Sequence, residues 1–189
     1  MRRIDLPLAG PCLLEPEVFE DARGLFFETW NQRTLAELVP GFEKQAAHFV
    51  QENHSRSARG VLRGLHYQLP QAQGKLLRLL AGEIFDVVVD LRRSSATFGH
   101  WHGLRLNAQT RQMLWVPAGF AHGFLVLSEV ADVVYAITDF YAPAAEHTLA
   151  WDDPELAIAW PLAAAGVAAP MLSAKDAQGV AWAAAPVFE

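Results

Sequence analysis

An arginine and a histidine share one apolar run, Val61-Leu62-Arg63-Gly64-Leu65-His66-Tyr67-Gln68. A half-buried guanidinium wants an anion, best one that accepts two parallel hydrogen bonds. A histidine in a strand either serves as a base near neutral pH or fills the core with its ring nitrogens paired. Strict alternation puts Arg63 and His66 on opposite faces. Gly64 between them is a natural bulge position, and a bulge there would turn both toward one cavity. Just upstream, Gln51-Glu52-Asn53-His54-Ser55 sets Gln51, Asn53 and Ser55 on one face. Such a row is either solvated surface or the wall of a polar pocket, and the pattern alone favours the surface. Lys75 is the next signal. The chain has only three lysines, Lys44, Lys75 and Lys175, and Lys75 opens an apolar strand where leucine would pack better. An ammonium so placed stabilises a developing oxyanion, or else snorkels to water from a strand end. Asp86 and Asp90 share one face of Ile-Phe-Asp-Val-Val-Val-Asp-Leu, where turn-capping or solvated acids are as good a reading as site acids.

Strands have to hold these residues. β-prone runs at 12–19, 25–30, 46–54, 61–68, 75–80, 84–91, 102–106, 113–116, 120–127 and 130–138 alternate with turn-forming stretches. Strands this regular with no helical pattern between them predict an all-β antiparallel sandwich or barrel. One helix is expected at 34–39, capped by Thr34 and stopped by Pro40-Gly41. The run at 84–91 is apolar on both faces and reads as a central strand. From residue 157 the chain turns Ala-rich and Pro-punctuated, a loosely structured cover with a short helix at most. The whole, 1–189, reads as one domain with a core at about 12–141 and a C-terminal cover at 142–189.

Composition limits what this domain does. At 189 residues, 52% hydrophobic and 19% charged, global disorder is excluded. A formal charge of -6 argues against nucleic acid or an anionic membrane as partner, while leaving room for a local basic pocket. The single Cys12 makes neither an intrachain disulfide nor a cysteine zinc site. The N-terminus lacks the apolar run of a signal peptide, and no stretch approaches the about 20 residues that span a bilayer. A soluble, cytoplasmic protein is expected.

Pro117-Ala118-Gly119-Phe120-Ala121-His122 resembles the second motif of the cupin superfamily, a double-stranded β-helix or jelly roll. In metal-binding cupins that histidine is a ligand, joined by a His-x-His pair and a glutamate from the first motif. Here His66 stands alone at the first-motif place, followed by Tyr67 and Gln68. His100-Trp101-His102 has ligand spacing but no nearby carboxylate. The resemblance is to a cupin with no metal and no cofactor.

Taken in order, segments 19–28, 51–57, 60–68, 73–78, 85–92, 115–129 and 173–176 resemble the dTDP-4-dehydrorhamnose 3,5-epimerases, over nearly the whole chain. The resemblance implies a cofactor-free isomerase that inverts C3 and C5 of dTDP-4-dehydro-6-deoxy-D-glucose, for dTDP-L-rhamnose and cell-surface polysaccharide synthesis. It assigns His66 as the base, Asp176 of the Lys175-Asp176 pair as its orienting partner, Lys75 at the C4 oxygen and Tyr135 as the opposing acid. Arg23 and Arg63 would meet the pyrophosphate, with Gln51 and Asn53 adding hydrogen bonds. Phe26 would stack on thymine and Glu28 would accept from its N–H. His122, Phe140 and Lys175 would line the sugar site. The resemblance also implies a homodimer that exchanges N-terminal strands. Departures from the family pattern, Ala136 after the tyrosine, the pair Phe140-Tyr141 and Asp in Trp151-Asp152-Asp153-Pro154, touch none of the four catalytic positions. Three alternatives stand beside this reading. A single-carbon epimerase would differ near Phe140. A metal-dependent cupin would show in a metal assay, and a non-catalytic binder would have no use for a His–Asp couple facing a tyrosine.

Overall fold

The computed structural model describes residues 1–45 and 48–189. Strands β1 (Arg2–Asp5) and β2 (Cys12–Glu15) lead into a hairpin of β3 (Val18–Asp21) and β4 (Gly24–Phe27). Helices α1 (Gln32–Leu38) and α2 (Phe42–Gln45) come next. Then follow β5 (Gln51–Ala58), β6 (Leu62–Gln68), β7 (Lys75–Ala81), β8 (Glu83–Asp90) and β9 (Trp101–Asn107). Strands β10 (Met113–Val116), β11 (Phe120–Val126), β12 (Val130–Ile137) and the short β13 (Glu146–Thr148) complete the set. One sheet has the order β1-β2-β10-β7-β12-β5 and the other β13-β6-β11-β8-β9. From β5 to β8, successive strands step from sheet to sheet, so the chain wraps two facing antiparallel sheets into a cupin-type jelly roll.

Three apolar layers follow from the strand patterns. Leu77, Leu79, Ile84, Val88, Phe124, Val126 and Val133 fill the space between the sheets. On the outer face of the six-stranded sheet, Leu14, Leu76, Met113 and Trp115 are covered by Leu35 and Val39 near α1 and Phe42 of α2. The outer face of the five-stranded sheet carries Leu65, Tyr67, Val87 and Val89, packed under Leu156, Ile158, Trp160, Trp182 and Phe188. Leu62 and Leu125 lie beneath Ala165, Leu162 and Val167. The two-sided apolarity of β8 is thereby explained: Val88 faces the interior, while Val87 and Val89 face the tail. The Ala-rich tail is a cover whose few large side chains occupy the sheet's outer surface.

Local corrections have physical causes. The helix starts earlier than expected because Asn31, a better cap than threonine, accepts the Thr34 N–H at 2.8 Å. The strand expected at 46–54 begins on Ala46 and Ala47, which lie outside the described residues, and is observed as β5 at Gln51–Ala58. It absorbs the expected turn at Ser55 because β12 pairs with it residue for residue, from Ile137 with Gln51 to Val130 with Ala58. At a sheet edge its alternate residues Glu52, His54 and Arg56 face solvent, so its polarity is no obstacle. The run at 12–19 is broken in two near Pro16, which has no N–H to give to a ladder. Of the two acids on β8, Asp90 is structural. Its buried carboxylate takes Arg92 Nε at 2.9 Å, Ser95 Oγ at 2.6 Å and Thr97 Oγ1 at 2.6 Å, tying down the turn that follows.

Candidate active site

A bulge at Gly64 builds the site. The β6–β11 register pairs His122 with His66 but Phe124 with Arg63, so β6 spends one more residue than its partner. Side-chain parity flips across the extra residue: Leu62 and Leu65 both face the outer cover, while Arg63 and His66 both enter the space between the sheets. Only glycine fits there. Gly64 has φ +120°, and a Cβ on it would lie 2.5 Å from the Gly123 Cα.

The resulting cleft holds about 340 Å³ and opens between the sheets. The five-stranded sheet contributes Arg63, His66, His122 and Glu146; the six-stranded sheet contributes Gln51, Asn53, Lys75 and Tyr135. His66 and Tyr135 therefore reach the cleft from opposite walls. The polar row on β5 is pocket wall: Gln51 Nε2 donates to Asn53 Oδ1 at 2.8 Å, and both line the cleft with Ser55. Arg63 Nε donates to Ser57 Oγ at 2.9 Å.

His66 Nε2 lies 2.5 Å from Asp176 Oδ1. Asp176 is 4% exposed and opens a short 3₁₀ turn, Asp176–Gln178, brought against β6 by the returning tail. Burial works to raise its carboxyl, but hydrogen bonds from His66, Ser173 and the Gly64 N–H outweigh that and hold it at about 2. An ionised Asp176 accepts, so Nε2 donates and Nδ1 keeps its lone pair. Burial also holds the His66 imidazole below its ordinary 6.5, against the opposite pull of Asp176, so the ring is neutral and basic at neutral pH. Lys75 is 9% exposed, and its Nζ donates to the His66 carbonyl at 3.1 Å. Among the described residues no carboxylate comes within ion-pair distance of it, and burial pushes the ammonium down to about 8. Burial pushes the Tyr135 hydroxyl up, with Arg63 and Lys175 pulling the other way, so it stays a proton donor.

His122 Nε2 meets Asp86 at 3.1 and 2.9 Å, a second buried His–Asp couple that the pattern of β8 left undecided. At the mouth, Glu146 accepts Lys175 Nζ at 2.7 Å and the Tyr141 hydroxyl at 2.9 Å. Glu146 and Tyr141 were not among the sequence candidates. Glu146 sits on a strand of three residues, too short to read as a pattern, and Tyr141 directly follows Phe140, the aromatic that the resemblance places at the sugar site. Phe140 itself has its side chain 60% exposed and outside the cleft; only its carbonyl takes part, accepting Gln68 Nε2 at 3.3 Å. Arg23, Phe26 and Glu28 are also absent from the cleft of their own chain. Arg23 Nη2 pairs with Asp21 Oδ2 at 2.5 Å, Phe26 is 71% exposed, and Glu28 accepts from Asn31 at 2.5 Å. His100 and His102 do not line the cleft, and among the described residues no three His, Cys, Asp or Glu side chains gather as metal ligands.

A neutral base oriented by a buried acid, an unneutralised ammonium beside it and a protonated phenol on the far wall make a site for proton transfer at carbon next to a carbonyl. Comparison with known proteins gives the same chemistry a family. Residues 5–184 match the family model of dTDP-4-dehydrorhamnose 3,5-epimerase. The chain is 56% identical over 191 residues to the dTDP-4-dehydrorhamnose 3,5-epimerase of Pseudomonas aeruginosa, covering 100% of this chain and 99% of that one. It is similar, with a TM-score of 0.87 and 42% identity, to a 3,5-epimerase of Legionella pneumophila solved in complex with dTDP-4-keto-L-rhamnose, over 98% of this chain and 94% of that one. A 3'-monoepimerase of Streptomyces bikiniensis, solved in complex with dTDP-quinovose, is 34% identical with a TM-score of 0.82, over 97% and 88% of the two chains. On its sequence and its fold alike, this chain belongs to the dTDP-4-dehydrorhamnose 3,5-epimerase family.

Proposed function

We propose that the chain inverts C3 and C5 of dTDP-4-dehydro-6-deoxy-D-glucose to give dTDP-4-dehydro-β-L-rhamnose, in dTDP-L-rhamnose biosynthesis. The observation that carries this reading is the neutral His66, paired with buried Asp176, facing Tyr135 across a cleft that also holds Lys75. The C4 carbonyl acidifies the neighbouring C–H bonds. His66 Nδ1 takes the proton, the bonding electrons move into the C3–C4 or C4–C5 bond, and the negative charge on the C4 oxygen is met by the Lys75 ammonium. Tyr135 gives its hydroxyl proton to the opposite face of the carbon, completing inversion; it then regains a proton from solvent, and His66 releases to solvent the proton it took, so that both are reset for the second carbon. No step draws on a metal or an organic cofactor.

Arg63 with Gln51 and Asn53 binds the pyrophosphate and nucleoside side of the substrate, and His122 and Lys175 border the sugar. Arg23, Phe26 and Glu28 serve the site of a second copy: the β3–β4 hairpin carries them clear of their own cleft, with Phe19, Leu25 and Phe26 exposed. The active species is then a cytoplasmic homodimer with exchanged N-terminal strands. Inversion of one carbon is a second reading, favoured by the likeness to the 3'-monoepimerase; the greater identity to the 3,5-epimerase of Pseudomonas aeruginosa favours two.

Tyr135→Phe tests the division of labour. Substrate incubated with this variant in deuterated water still exchanges hydrogen at the carbons beside the carbonyl, while inverted product falls about 10²–10⁴-fold, because abstraction proceeds without reprotonation from the far wall. Unchanged inversion in that variant removes Tyr135 as the acid.

A further inference from the structure

Asp176 is held by more than the histidine it orients. Ser173 Oγ donates to Asp176 Oδ2 at 2.7 Å and, through a lone pair, accepts the Asp176 backbone N–H at 3.1 Å. One hydroxyl thus grips the side chain and the main chain of the same residue, closing a small ring at the start of the 3₁₀ turn. The other carboxylate oxygen, Oδ1, is left to face His66 Nε2, with the Gly64 N–H at 3.4 Å beside it. The division is complete: one oxygen serves the clamp, the other serves the base. Among the described residues Oδ2 has no other donor, and Asp176 itself is only 4% exposed. Ser173 itself is exposed and touches neither the cleft nor the base.

We infer that Ser173 is a positioning residue for the reaction: by fixing the rotation of the Asp176 carboxylate it holds His66 in the tautomer that leaves Nδ1 free as the base. This rests on the reading of His66 as the general base. Without the hydroxyl, the carboxylate turns about its Cβ–Cγ bond, the His66–Asp176 bond lengthens and the imidazole samples orientations in which Nδ1 misses the substrate C–H. Small misplacements of this kind carry large kinetic costs.

The test uses the full chain as Ser173→Ala and Ser173→Thr, with His66→Ala as reference. A short His–Asp hydrogen bond gives a far-downfield proton resonance, which His66→Ala assigns by its disappearance. In Ser173→Ala that resonance moves upfield or broadens away and kcat drops roughly 10- to 100-fold, while KM and the thermal midpoint stay near wild type. Ser173→Thr keeps the hydroxyl and restores both the resonance and kcat. The inference is overturned if Ser173→Ala leaves the resonance and kcat as in wild type, or if its loss of kcat merely follows a loss of folded protein. An active His66→Ala would instead strike at the base assignment. The resonance would still report directly whether the clamp sets the His–Asp bond.

Discussion

His66→Ala abolishes hydrogen exchange at both C3 and C5 while dTDP still binds. The loss is at least the about 10²–10⁴-fold expected of one general base, and the single base makes it apply to both carbons. No neighbouring group takes over. Lys75 is held charged below about pH 8, and His122 is turned with Nε2 on Asp86. Binding survives because Arg63, Gln51 and Asn53 are anchored on β5 and β6 through Ser57 and each other, without help from the imidazole. The fold survives as well: Asp176 keeps Ser173 and the Gly64 N–H as donors. Its carboxyl then rises from about 2 toward the usual range, so the variant loses part of the stability that the ionised carboxylate contributes at neutral pH, and the difference from wild type fades as the pH falls toward about 2. Titration calorimetry with dTDP and proton NMR of the substrate in deuterated water read the two halves of this expectation. Residual exchange at one carbon in the variant means that a different base serves that carbon.

Lys75→Met inactivates the enzyme and stabilises the protein. The ammonium meets charge that exists only once the C4 oxygen has become an enolate, and removing such a group costs about 10²–10³-fold in kcat. In the free protein the same ammonium is a burden. Its folded-state pKa of about 8 lies below its ordinary 10.5, so the folded state disfavours the charge below pH 8, at a cost on the order of 3 kcal/mol. The sign follows directly. Wild-type stability rises as the pH climbs from about 8 toward 10.5, and Met, of similar volume, removes the penalty at neutral pH. A higher thermal midpoint with lost activity separates catalysis from folding. The wild-type pH–rate profile shows the same group. Activity falls on the acid side only below the ordinary imidazole range, because burial keeps His66 neutral to lower pH. On the alkaline side it falls near pH 8 as Lys75 loses its charge, a limb absent from Lys75→Met. A variant that is inactive but less stable than wild type, or that keeps the alkaline limb, contradicts this role.

Much of the site was legible one segment at a time, and the assembly of those segments was not. Arg63 and His66 stood out as polar residues in an apolar run, and Gly64 supplied the means to aim them together. What β6 alone could not supply was Gly123 on the neighbouring strand, whose close approach makes the bulge obligatory. The pattern of β5 alone favoured surface, and only the family resemblance pointed Gln51 and Asn53 to a site, because alternation tells which residues share a face and not what lies opposite. The facing sheet, with Arg63 and His122, turned that face into a wall. Asp176 is 110 residues from His66, and no local pattern links them; only the family resemblance paired them before the structure did. Phe140 and Tyr141 show the limit of resolution: both lie past the end of β12 at Ile137, where no strand alternation tells which aromatic reaches the cleft. The tail was readable as a cover from its alanines and prolines, since small residues pack flat on a finished sheet. That it also delivers Asp176 to His66 was not.

The most direct test is proton NMR of dTDP-4-dehydro-6-deoxy-D-glucose incubated with chelator-treated protein in deuterated water. The account predicts deuterium at both C3 and C5 and the appearance of the L-rhamno product. Deuterium at one carbon would establish a single-carbon epimerase. No deuterium at either carbon, in protein that still binds dTDP, would contradict the assignment of this cleft to proton transfer.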